Sequence, residues 1–207
     1  MLLLSFATLI MLQAQLSKLY AADIKQIEFA ADHPPYLEDF TMRTEQGNLI
    51  FSLRVANPFD HELKALLLNG VSQKIKLKIT IKVNSFNLYL VKFNRELKKH
   101  KYIHRIKYDN LKKVFLVTLS DKSKPIETVS YKKAVDLATH FDSISLLSRQ
   151  EIEPEHSYLV ESQVVIRKAK LPFHLDYLFF FISAWDRKSS TYTIDIPERL
   201  ISETLKR

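Results

Sequence analysis

The chain has 207 residues, 46% hydrophobic and 26% charged, with a formal net charge of +8; that length and balance suit one globular domain with a real core. It contains no cysteine, which excludes disulfides, thiolate nucleophiles and thiolate zinc sites. Only two glycines occur, Gly47 and Gly70, so a Gly-rich phosphate loop is excluded as well.

The first twelve residues, MLLLSFATLIML, form an apolar run. It is shorter than the roughly 20 residues a membrane span needs and long enough for the core of a secretory signal. Small residues Ala21 and Ala22 stand just before Asp23. The expectation is a Sec-type signal peptide over 1–22, cleaved after Ala21 or Ala22, and an exported, periplasmic or envelope-associated protein. No Lys or Arg precedes the apolar run, so an uncleaved anchor or a buried N-terminal helix competes with it. The remainder, 23–207, reads as one β-rich domain with a charged C-terminal tail from about residue 197.

Along that remainder, 23–30 is a first strand, ended by Pro34 and Pro35. Residues 36–44 and 49–55 read as a hairpin around Gln46-Gly47-Asn48. Over 59–69 the period becomes helical, with Asp60 as N-cap and Gly70 just past the C-terminus. The clearest strand follows. Ile75, Leu77, Ile79, Ile81 and Val83 alternate with Lys74, Lys76, Lys78, Thr80 and Lys82, giving one dry face and one wet face. A strand resumes at 86–90 after a bend near Asn84, and 94–101 reads as a charged loop or a helical turn.

Residues 102–108 and 113–119 form a second hairpin at Asp109-Asn110, and 121–125 is a turn. Ser130 caps a helix over 130–140. Strands follow at 143–148, 158–168 and 191–196, and the tail is a weakly amphipathic helix. Between them lie an acidic loop, 151–156, and an apolar run, 178–182, closed by Trp185. Strands joined by turns rather than crossover helices predict antiparallel pairing. The fold class is therefore mainly β: a two-layer sandwich or curled sheet with two or three short helices.

Five sequence words occur in order: LLLNG at 66–70, IKYDNLKKVFLV at 106–117, SYKKAVDLATHF at 130–141, LP at 171–172 and SAW at 183–185. In this order, behind an apolar leader, the chain resembles the exported bacterial proteins of domain of unknown function 4390, over roughly residues 24–196. It departs from the family pattern at Phe115, where a tyrosine is expected, and at Phe173-His174-Leu175 in place of a proline segment. The resemblance implies export and architecture. It carries no activity and no site residues.

Charge is concentrated in 74–113, where thirteen Lys or Arg face only Glu96 and Asp109. The candidate binding residues are Lys74, Lys76, Lys78, Lys82, Lys98, Lys99, Lys101 and Arg105, for an anionic envelope component (a lipid head group or a glycan) or an acidic protein. Export argues against nucleic acid. The competing reading is a solvated strand face whose lysines discourage edge-to-edge pairing. His100 and His104 share a face, but no nearby acidic residue completes a metal site, so neither a metal nor a cofactor is expected. Glu151, Glu153 and Glu155 lie in one polar loop, and no G-x-S-x-G nucleophile motif occurs. The 178–182 run suits a buried core element, a peripheral membrane contact or an acyl groove. The expected function is a non-catalytic binding or scaffolding module. The alternatives are an accessory module of a membrane signalling system or a hydrolase of an envelope polymer.

Overall fold

The computed structural model describes residues 33–88, 91–168 and 186–206, excepting the side chains of 85–93 and 168. The expected leader, the strand at 23–30 and the apolar run with Trp185 lie outside them.

The N-terminal hairpin is built from β1 (Tyr36–Glu45) and β2 (Asn48–Ala56). Its two-residue loop puts Gln46 at φ +49° and Gly47 at φ +72°, both in the left-handed region that a tight, twist-matched hairpin turn requires. Helix α1 (His61–Leu68) starts at Asp60, whose Oδ1 accepts from Leu63 N at 2.8 Å. It stops at Gly70, φ +85°. There Gly70 N donates to Leu67 O and Val71 N to Leu66 O, each at 2.9 Å, so the last carbonyls are satisfied in a Schellman closure.

Strand β3 (Gln73–Leu88) is continuous where the sequence suggested two strands. The expected irregularity near Asn84 is a register shift between Asn84 and Phe86. Strand β4 (Val91–Asp109) runs through the whole 94–101 stretch that was expected to be a loop or a helical turn. It pairs with β3 from Leu88↔Val91 to Gln73↔Ile106. The chain turns over Asp109, whose Oδ1 accepts from Leu111 N and Lys112 N, into β5 (Val114–Thr118) and the short β6 (Ile126–Thr128).

Ser130 caps α2 (Tyr131–Thr139), which runs directly into β7 (His140–Ser148). The acidic loop opens as a 3-10 turn at Arg149–Glu151. Then come β8 (Ser157–Lys168), two short strands β9 (Arg187–Lys188) and β10 (Tyr192–Asp195), and α3 (Glu198–Lys206).

Every pairing among the described residues is antiparallel. One sheet has the order β1-β2-β7. The other has the order β10-β8-β3-β4-β5-β6, with β9 beside β10 on the same edge of β8. The two sheets form an antiparallel sandwich around a common core. Ile75, Leu77, Ile79 and Ile81 of β3 meet Val160, Val164 and Ile166 of β8, Leu49, Phe51 and Leu53 of β2, and Phe141 and Leu146 of β7, all buried. Each such side chain stabilises the fold by about 1.5–3 kcal/mol relative to exposure.

The C-terminal helix is more than a charged tail. Leu200, Ile201 and Thr204 are buried, and Thr44 of β1 lies 3.1 Å from the Thr204 hydroxyl. A single apolar stripe on a charged helix is enough to dock it.

Candidate binding face and a histidine-lined cavity

Strand β3 lies in the interior of its sheet, with β8 on one side and β4 on the other. Its odd residues feed the core, so its lysines share the outer face with the matching positions of both neighbours. The register sets out that face row by row. Arg167, Lys74 and Arg105 stand abreast, then Val165, Lys76 and Ile103, then Gln163, Lys78 and Lys101. Further along come Glu161, Thr80 and Lys99, and then Leu159, Lys82 and Glu96. Neighbouring strands are about 4.8 Å apart and successive same-face residues about 7 Å, so this is a dense grid of charge.

The grid is divided. At the Lys82 end the cations are paired: Lys82 Nζ with Glu161 at 2.5 Å and Lys99 Nζ with Glu96 at 2.6 Å. At the Lys74 end, Arg167 pairs with Asp186 at 2.6 Å, whereas Lys74, Lys76, Lys78, Lys101 and Arg105 make no ion pair among the described residues. Lys76 sits between Val165, which is 1% exposed, and Ile103. Burial, and then the charges of Lys101, Lys78 and Arg167, hold its amine below the usual lysine range.

Seven of the eight candidate residues therefore share one face. Lys98 does not. It stands opposite Ile81 on the core side and pairs with Glu151 at 2.8 Å. Arg167, a member of the densest row, was missed in the sequence. The signal was present, because Val164 and Ile166 point inward and alternation sends Arg167 out. The interior position of β3 also disposes of the edge-protection reading of its lysines, since that device acts at a free edge.

On the other face of β4, His100 and His104 do share a side, with Tyr102 between them. Among the described residues no group of His, Asp and Glu is arranged to hold a metal. The carboxylate of Glu151 accepts from Lys98 and from Ser148 N, which hold it below the usual carboxylate range. His104 lines a cavity of about 420 Å³ between β4, the loop that follows β5 and the junction of α2 with β7. Its ring stacks on Phe141 at 4.0 Å and 11°. Its Nδ1 donates to Ala138 O at 3.1 Å, and burial pushes its pKa down. No described helix is long and apolar enough to cross a membrane.

The chain thus defines an antiparallel two-sheet protein with a cluster of cations on the outer face of its larger sheet. It belongs to the family described as a domain of unknown function (DUF4390), whose profile matches residues 35–195. The match begins eleven residues later than the extent expected from the sequence words and ends one residue earlier. No curated protein and no solved structure gives a significant match.

Proposed function

We propose that this protein is an exported envelope module that binds an anionic partner, a lipid head group or a glycan, through the outer face of β3, β4 and β8, without catalysis. The observation that carries the reading is the set of five cations, Lys74, Lys76, Lys78, Lys101 and Arg105, clustered on the outer face of an interior strand and its neighbour with no ion-pair partner among the described residues. Crowded like charges cost stability, and an anion laid across them offsets that cost. The apolar stretch at 1–12 and the alanines before Asp23 support export.

The test is sedimentation with vesicles of phosphatidylglycerol against vesicles of phosphatidylcholine, and retention on an anionic glycan resin, both at low and high salt. Binding is expected to be salt-sensitive and to be lost in a Lys74→Gln, Lys76→Gln, Lys78→Gln, Lys101→Gln variant. If the variant binds as well as the parent at low salt, the face is not the determinant. Sequencing the N-terminus of protein purified from its native envelope tests export, and a start at Met1 would overturn the cleaved signal.

A further inference from the structure

We infer that the open edge of β4, from Lys98 to Ile103, is a docking site for an extended acidic segment of a partner protein, which joins the large sheet as a further antiparallel strand. The inference goes beyond the lipid or glycan reading of the outer face, and of the five unpaired cations only Lys101 borders both sites. Strand β5 pairs with β4 only from Arg105 to Asp109. Before Arg105, β4 has β3 on one side and no strand on the other among the described residues. One bond marks where the ladder to β5 stops: Ile103 N donates to the Ser120 hydroxyl. That N–H therefore points away from β3. In an antiparallel ladder the N–H and C=O of one residue point the same way, and the direction alternates along the strand. Those of Lys101 and Lys99 thus face the open side too, and neither residue makes a backbone hydrogen bond there among the described residues. The regular stretch ends at Leu97, where the register to β3 shifts between Ile81 and Lys82. What remains is an edge of ordinary strand length, a template for another chain.

Charge and alternation specify the occupant. A second copy is disfavoured, because Lys99 and Lys101 would meet lysines of their own kind. An added strand places alternate side chains on the outer face, beside Lys101 and Lys99. There the row Gln163, Lys78, Lys101 carries two cations and no anion. An acidic side chain completes that row, and another reaches Lys99, whose exposed ammonium is held only by the neighbouring Glu96. The intervening side chains fall on the inner side, level with His100 and Tyr102. Tyr102 is one wall of the cavity of about 420 Å³, together with Leu119, Leu137, Phe141 and Ile144. Phe141 and Ile144 come from β7, the outermost strand of the smaller sheet. Apolar side chains of the added strand cover this wall. The segment that fits therefore alternates acidic and apolar residues; its main chain supplies affinity and its side chains supply selectivity.

The experiment titrates the full-length chain with a blocked hexapeptide of alternating glutamate and valine. Binding is read by calorimetry, and amide hydrogen exchange by nuclear magnetic resonance. Saturable binding that slows exchange at the Lys99 and Lys101 amides is expected, with no binding of the alternating lysine–valine peptide. In antiparallel pairing the glutamates lie opposite Lys101 and Lys99 and turn their N–H groups toward β4. N-methylation of the glutamates should weaken binding by about tenfold or more, and N-methylation of the valines should leave it within about twofold. These comparisons leave the protein unaltered, so no outcome hangs on a variant that fails to fold. Lys101→Gln should weaken the glutamate peptide several-fold. Vesicle sedimentation of the same protein keeps the two readings apart: peptide binding without vesicle binding defeats only the lipid reading, and the reverse defeats only this one. The inference is overturned by the absence of saturable binding, by equal affinity for the two peptides, or by equal loss from either methylation. A chain that dimerises with its Lys99 and Lys101 amides already protected would give the edge to a second copy and overturn it as well.

Discussion

Lys78 and Lys101 stand directly opposite each other across the β3–β4 ladder, both exposed and both without an ion-pair partner among the described residues. Like charges placed opposite on one face destabilise a sheet by roughly 0.2–1 kcal/mol. Lys101→Glu converts the repulsion into a cross-strand ion pair. It should raise the urea midpoint at low salt, with the gain shrinking in 1 M salt, where the screening length falls to about 3 Å. The same variant should bind anionic vesicles more weakly. A midpoint unchanged at low salt would mean the two ammonium groups avoid each other at no cost.

The two ends of the grid should separate by function. Lys82→Gln removes a charge that Glu161 already neutralises, and should leave vesicle binding within about twofold while costing at most about 1 kcal/mol of stability. Lys76→Gln removes an unneutralised charge from the centre of the cluster and should weaken binding several-fold with little loss of stability. Equal effects of the two variants on vesicle affinity would show that only total charge matters.

Burial pushes the pKa of His104 below its ordinary value, and does the same for His100. As pH falls through about 6.5, the unfolded chain takes up protons that the folded chain refuses, so unfolding is favoured. The stability these rings contribute is fully present above that pH and is lost as pH falls toward their folded-state pKa values. Thermal melts from pH 7.5 to 5 should show a declining midpoint. His104→Asn should make the decline shallower, and an equal slope in the variant would assign the pH dependence elsewhere.

Gly70 closes α1 at φ +85°, and an added Cβ would lie 2.9 Å from the Asn110 amide and 3.5 Å from Tyr108 O. Gly70→Ala meets both a disfavoured backbone and a contact that must shift. A loss above about 1 kcal/mol is expected, or roughly 2–4 °C of melting temperature for each kcal/mol in a chain of this size. A melt indistinguishable from the parent would show that the helix ending relaxes freely.

The legible parts of the fold were those whose alternation matches their burial. In β3 Ile75 to Val83 alternate cleanly, and in β8 Tyr158, Val160, Val164 and Ile166 point inward; β8 and both capped helices lie close to their expected limits, whereas β3 runs on to Leu88. Strand β4 inverts the rule. Lys98, His100, Tyr102 and His104 occupy the core side, while Leu97 and Ile103 are on the outer side or partly exposed. Hydropathy alone therefore sees no strand over 94–101, although it does find 102–108. The inversion is sustained by particular partners, Glu151 for Lys98 and the Ala138 carbonyl for His104, which lie 53 and 34 residues away in sequence. Strands β6 and β9, of three and two residues, are too short to carry a period. The basic face was visible as a charge count, but its division needed Glu161 from β8 and the register shift that puts Glu96 beside Lys82. The cavity had no sequence signature, since Asp121, Asp136 and His104 come together only through the fold.

The seating of β8 against β3 has a kinetic consequence. Gln73 pairs with Lys168, 95 residues downstream, and in the smaller sheet Asn48 pairs with Ser148. The central ladder of the large sheet therefore closes only after most of the chain is available, and the loop it closes is long. Sheets assembled from such distant partners fold in milliseconds to seconds rather than microseconds. Until β8 arrives, the β3–β4 hairpin has no second neighbour, and the apolar side of β3 waits uncovered.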